Sequence, residues 1–363
     1  MTPLRIGVDA RELLGATTGV GRYLGELIRR WTVRPDADER IFRLYAPERL
    51  PLELPAGTVE QRIVGQGTGT WWEQTTLRRH VRADAPSVFF APAYTAPLGI
   101  GVPLAVTIHD VSFVAHPEWF RRREGIRRRY LTRRAARSAD VIFTDSQFSR
   151  GEIERLLSID PGKVRVIPLG LSVRPVTPGA ARRQPTVLFV GSVFNRRRLP
   201  DLIAAFARVT ADLPAARLVI VGDNRTWPRQ DLEAIARSDG VSVRTEFRSY
   251  VTDEELARLY REASVFAFLS EYEGFGFTPL EALAAGVPPV VLDTPVAREI
   301  YGDAAVYVET GDIAGAAAAL RRLLADPGAA GAILARAPAV LARYSWDTAA
   351  ADTLAHLERI ARR

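Results

Sequence analysis

Short apolar runs, each followed by a polar turn and then by a segment with helical spacing, recur along the whole chain. Residues 4–8 read as a first buried strand, and Gly19-Val-Gly-Arg-Tyr-Leu-Gly25 opens an amphipathic helix that runs to about Trp31. Further strands are expected at 41–45, 87–90, 103–108, 141–144 and 163–168, with a helix at 71–81. Such a strand-helix alternation argues for parallel sheets covered by helices.

The alternation breaks once. Residues 171–185 are rich in Pro and Gly and lack periodicity, so a linker with a boundary near 175 is expected. The pattern then restarts with a strand at 186–190 and continues through strands at 218–221, 265–269 and 290–292. With 363 residues the chain is too long for one ordinary core, and two Rossmann-like α/β domains are expected, 1–175 and 176–344.

Composition narrows the function. Cysteine is absent, which removes disulfides and thiolate metal sites. The N-terminus lacks a charged segment followed by a long apolar one, and no 18-residue apolar run occurs, so a cytoplasmic location is expected. Net charge is +7, unevenly spread: residues 1–175 carry 27 Lys+Arg against 19 Asp+Glu, and Lys163 is the single lysine. Asp36-Ala-Asp38 falls in a polar connector and is assigned to solvent. His109 and His116 without a third clustered ligand make a poor zinc pair, so no metal site is expected. Dinucleotide binding is disfavoured, because the first strand is not followed directly by glycines and the second ends in Ala-Pro rather than in an acid.

The chemistry concentrates in residues 270–291, SEYEGFGFTPLEALAAGVPPVV. Its glycines permit positive φ and close approach of a ligand to the backbone. Thr278 reads as an N-cap and Pro279 as the first helical residue, giving a helix N-terminus suited to an anion. Glu281 has capping-box spacing from Thr278, and local pattern alone favours that role. Glu273 is equally readable as a solvated loop acid or as a site residue.

The run from Glu273 to Val291, with its Glu-x7-Glu, resembles the signature of glycosyltransferase family 4, retaining enzymes of the GT-B fold, in which two Rossmann-like domains face each other across a cleft. The resemblance implies that Glu273 contacts sugar hydroxyls, that Glu281 holds the nucleotide ribose, and that Gly274, Phe275, Gly276, Phe277 and Thr278 meet the donor diphosphate. The segment at 6–23 is similar to the family's opening, placing Gly19 and Gly21 at the cleft. VTIHDVSFVAHPEWF is similar to a segment that puts His109 beside the donor sugar, with Asp110 supporting it. Gly191 opens a basic loop in which Arg196-Arg197 replaces the family's common Arg-Lys and would neutralise the diphosphate. The last helix, 345–363, is expected to return to the first domain.

Residues 121–137 contain nine arginines with Ile126, Tyr130 and Leu131 interspersed. Helical spacing turns some apolar residues inward and leaves a cationic face. That face is readable equally as a solvated surface or as a dock for an anionic membrane, or for a lipid-diphosphate acceptor, at the periphery of the cell membrane. Nucleic acid is disfavoured, since no recognised motif accompanies it.

The expectation is therefore a retaining, metal-independent glycosyltransferase without a cofactor. It would move a sugar from a nucleoside-diphosphate donor, GDP-mannose first, to a glycan or lipid-linked acceptor. The alternative is a non-catalytic nucleotide-sugar or polyanion binder of the same fold.

Overall fold

The computed structural model describes residues 3–15, 18–51, 57–171 and 185–362. It divides into two compact units, one of residues up to 115 with 122–170 and 345 onwards, the other of 116–121 with 171–344. The boundary expected near 175 lies outside the described residues.

The first unit is built on a seven-stranded parallel sheet in the order β3-β2-β1-β4-β5-β6-β7. Its strands are β1 (Leu4–Asp9), β2 (Arg40–Ala46), β3 (Val59–Ile63), β4 (Val88–Ala91), β5 (Leu104–Thr107), β6 (Val141–Thr144) and β7 (Val164–Val166). The central strands β4, β5 and β6 are buried along their whole length, as their continuous apolar runs require. The terminal helix, Trp346–Ala361, belongs to this unit: Trp31 Nε1 donates to the Ala350 carbonyl at 2.8 Å and Arg40 Nε to Glu358 at 2.5 Å.

The second unit holds a six-stranded parallel sheet in the order β10-β9-β8-β11-β12-β13. The strands are β8 (Thr186–Val190), β9 (Arg217–Val221), β10 (Thr245–Arg248), β11 (Val265–Phe268), β12 (Pro289–Leu292) and β13 (Val306–Val308). Both units are doubly wound α/β folds. The sequence pattern missed β3, β10 and β13, and all three are edge strands. An edge strand needs no continuous apolar run, and β3 (VEQRI) and β10 (TEFR) have none.

In a doubly wound sheet the chain reverses its direction of growth at one point, and the loops leaving the adjacent strands there open a crevice. That point lies between β8 and β11 in the second unit and between β1 and β4 in the first.

Candidate active site

At the β8/β11 switch point the loops after the two strands meet. The Glu271 amide donates to the Arg196 carbonyl at 2.9 Å, tying one loop to the other. Gly191 follows the end of β8, with φ +134°; a Cβ there would lie 2.3 Å from Arg197 Nη1, so only glycine lets this guanidinium fold under the loop. A short turn at Asn195–Arg197 then presents Arg196 and Arg197, whose side chains are each 12% exposed.

The two arginines converge on Glu273. Arg197 Nε donates to Glu273 Oε1 at 3.1 Å, Arg196 Nε lies 3.6 Å from the same oxygen, and the Ser270 hydroxyl donates to it at 2.8 Å. Glu273 is thus no solvated loop acid. Burial opposes its ionisation, but Arg197, Arg196 and the Ser270 hydroxyl outweigh it and hold the carboxyl below its usual range. Burial, joined by the charge of Arg196, holds Arg197 below the usual guanidinium range while Glu273 opposes them, and Arg197 stays a cation at neutral pH. Arg198, the third of the run, turns aside to Asp201 at 2.6 Å and Glu271 at 2.7 Å.

The helix after this loop differs from the sequence expectation. It runs Phe277–Ala284, with Gly276 at the N-cap, so Thr278 and Pro279 lie inside its first turn. Gly276 has φ +86°, and a Cβ would sit 2.1 Å from the Tyr301 hydroxyl, which donates to the Gly276 carbonyl at 3.0 Å. A left-handed residue starts the helix earlier than a threonine cap would. The Thr278 hydroxyl is consequently buried with no hydrogen-bond partner among the described residues. Glu281 is 5% exposed and accepts from Tyr260 at 3.1 Å. Phe275 is buried edge-on against Phe277 and Tyr344, and Gly274 is buried beside it.

The first unit has its own polar centre at the carboxyl ends of β5 and β6. His109 Nδ1 lies 2.8 Å from Asp145 Oδ2, and Nε2 lies 3.1 Å from the Pro92 carbonyl oxygen. Both neighbours can accept, so a protonated ring donates from both of its nitrogens. Burial favours the neutral ring, but Asp145 and the Pro92 carbonyl prevail and His109 titrates above its ordinary value; burial raises Asp145 as well. Asp110 is not the carboxylate on this ring. It accepts from the Ser112 amide at 2.8 Å and hydroxyl at 2.6 Å, and from Tyr94 at 3.1 Å; the Tyr94 ring packs edge-on against His109. Asp145 was missed because only pairing reveals it: β5 and β6 align Thr107 with Phe143, which brings the two strand ends together.

Gly19 and Gly21 begin the helix Gly19–Thr32, and Thr18 caps it, its hydroxyl accepting from the Gly21 amide at 3.0 Å. Gly21 passes within 2.5 Å, as measured from a Cβ placed there, of the Glu12 carbonyl, whereas Gly19 faces open space. Asp36 pairs with Arg34 at 2.9 Å and Arg40 at 3.1 Å, which lower its carboxyl to about 2. The second unit therefore brings Gly191, Arg196, Arg197 and Glu273 together and carries Gly274 to Thr278 and Glu281 on the loop and helix that follow, and the first carries Gly19, Gly21, His109 and Asp110. Tyr301, Tyr260 and Asp145 join them unforeseen, since none stands in a motif, and Ser270 joins them from the start of the 270–291 stretch, where the sequence alone gives it no role.

Comparison with known proteins bears on this arrangement. Residues 17–174 match the sequence family described as Glycosyltransferase Family 4, and 176–338 match that described as Glycosyl transferases group 1. The O-antigen chain mannosyltransferase B of Escherichia coli is 25% identical over 93% of this chain and 95% of its own. The glycogen synthase of Mycobacterium tuberculosis (strain H37Rv) is 31% identical over 80% of this chain and 70% of its own. Among solved structures, Anabaena HepE in complex with UDP-glucose superposes with a TM-score of 0.72 at 19% identity, covering 98% of this chain and 100% of that one. The chain belongs to the group 1 glycosyltransferases of family 4, and its two Rossmann-like units are those of the GT-B fold.

Proposed function

We propose that the protein transfers a sugar, with retention, from a nucleoside-diphosphate donor to a glycan or lipid-linked acceptor, without a metal ion. The observation that carries this reading is the convergence of Arg196 and Arg197 on the ionised Glu273 at the switch point of the second sheet. Beside it lies a helix N-terminus whose buried Thr278 hydroxyl has no hydrogen-bond partner among the described residues. A diphosphate fits such a cradle, since arginine cannot lose its charge and the amides of the first helical turn point at the anion.

In the reaction the bond between the sugar's anomeric carbon and the diphosphate oxygen breaks. Negative charge grows on the phosphate and positive charge on the ring. Donors already aimed at the phosphate lower that barrier without reorganising. Glu273 holds sugar hydroxyls and Glu281 the ribose. The acceptor oxygen attacks from the side the diphosphate leaves and passes its proton to a phosphate oxygen, so no side chain forms a covalent intermediate. GDP-mannose is the leading donor, and its sugar is in keeping with the name of the E. coli relative.

A thermal-shift comparison of GDP, UDP and ADP tests the donor: the right nucleotide at a hundred times its Kd stabilises by about 2.7 kcal/mol. A response to UDP alone would overturn the mannose assignment. Transfer is expected to persist in EDTA. Strong inhibition reversed by Mn²⁺ or Mg²⁺ would replace the arginine clamp with a metal.

A further inference from the structure

The helix Arg122–Ser138 buries Gly125, Leu131, Thr132, Ala135 and Ala136 and turns the opposite side to solvent. Sequence spacing turns some of its apolar residues inward without saying which. Leu131 is one of them, but Ile126 is 52% and Tyr130 is 61% exposed. Arg122, Arg123, Arg127, Arg133, Arg134 and Arg137 are exposed as well. At about 100° per residue these eight positions fall within an arc of about 140°, with Ile126 and Tyr130 towards its middle and arginines on both flanks. Glu124, the one acid on the helix, lies outside the arc.

What sets this face apart is the clustering of its arginines around two exposed apolar side chains. Elsewhere some exposed arginines are answered by carboxylates, as Arg258 is by Glu262 and Arg298 by Asp293, and others such as Arg79, Arg208 and Arg261 have no carboxylate at ion-pair distance among the described residues. On this arc no carboxylate pairs with Arg122, Arg123, Arg127, Arg134 or Arg137 among the described residues. A merely solvated face would also not centre an isoleucine and a tyrosine among its charges. Unanswered cations demand an anionic partner, and a protruding aliphatic side chain gains only where it can leave water. A phospholipid surface satisfies both conditions, whereas nucleic acid offers an exposed isoleucine nothing.

We propose that this face docks on an anionic phospholipid bilayer, with Ile126 and Tyr130 entering the headgroup layer and the arginines meeting lipid phosphates. No helix among the described residues is long and apolar enough to cross a membrane. The proposal is independent of the donor chemistry, and its test does not involve turnover.

The full chain is sedimented with phosphatidylcholine vesicles, with and without phosphatidylglycerol, at low and physiological salt. Three forms are compared: the native protein, Arg122→Gln/Arg123→Gln/Arg127→Gln/Arg134→Gln, and Ile126→Ser/Tyr130→Ser, with melting curves to verify folding. The native protein is expected to bind only the vesicles containing phosphatidylglycerol. The arginine variant should bind on the order of a hundredfold more weakly. The Ile126/Tyr130 variant, with charge unchanged, should lose about tenfold and have its residual binding abolished by salt. Equal binding by all three forms, or no binding by the native protein, would overturn the proposal. Loss of Ile126 and Tyr130 without effect, together with equal retention on duplex DNA, would assign the face to a soluble polyanion instead.

Discussion

Each unit carries a buried ion pair at the carboxyl ends of its parallel strands, and the two pairs differ in what can change their charge. In the second unit Glu273 faces two guanidinium groups that stay protonated at any working pH. In the first, Asp145 faces an imidazole whose proton is held by Asp145 and the Pro92 carbonyl. The first arrangement supplies constant charge, as stabilising a leaving diphosphate requires. The second is rigid only while its proton remains, so pH reaches the first unit before it reaches the second.

Breaking the arginine-glutamate pair should have the largest effect. Arg197→Ala is expected to lower kcat/KM roughly a hundredfold or more, the loss of about 3 to 4 kcal/mol that follows removal of a preorganised donor. Arg197→Lys should recover part of it, because the charge returns without the fork. Glu273→Gln should depress turnover similarly while changing Tm far less, since the amide oxygen still accepts from Arg197 and Ser270. Activity within severalfold of native would remove Glu273 from the site.

Asp145→Asn sharpens the other side of the comparison. His109 titrates higher in the folded protein than its value of about 6.5 in an unfolded chain. Its stabilisation is therefore complete below about pH 6.5 and is lost as pH rises through the folded value. Tm of the native protein should fall across that window, and the Asn variant, short by about 1 to 3 kcal/mol at low pH, should show a flatter profile. Parallel profiles for the two proteins would mean that His109 is neutral throughout.

Smaller effects probe the helix beside Glu273. Glu281→Ala removes the carboxylate that accepts from the Tyr260 hydroxyl and should cost about 1 to 2 kcal/mol in thermal melting, with Glu281→Gln close to native. Thr278→Val should leave Tm unchanged or slightly raised, because the hydroxyl it removes is buried without a partner, while raising KM for the donor. A clear drop in Tm would show that the hydroxyl is already bonded in the free protein.

The chain by itself determined the strand-helix alternation, the two parallel sheets and the loops that hold Arg196, Arg197 and Glu273, because buried parallel strands must be written as continuous apolar runs and glycines mark the turns between them. Three of the four edge strands escaped that reading, since an edge such as VEQRI is half exposed and has no apolar signature. The partner of His109 escaped it because Asp145 is 36 residues away and becomes a neighbour only through the pairing of β5 with β6. The start of the helix at Phe277 was decided by the left-handed Gly276 under the Tyr301 hydroxyl, a contact across 25 residues that overrides the local preference of Thr278 for the cap. The outward turn of Ile126 and Tyr130 was likewise settled by which side of their helix meets the sheet. Periodicity shows that a helix has faces, but only packing against a particular neighbour decides which of them is inside.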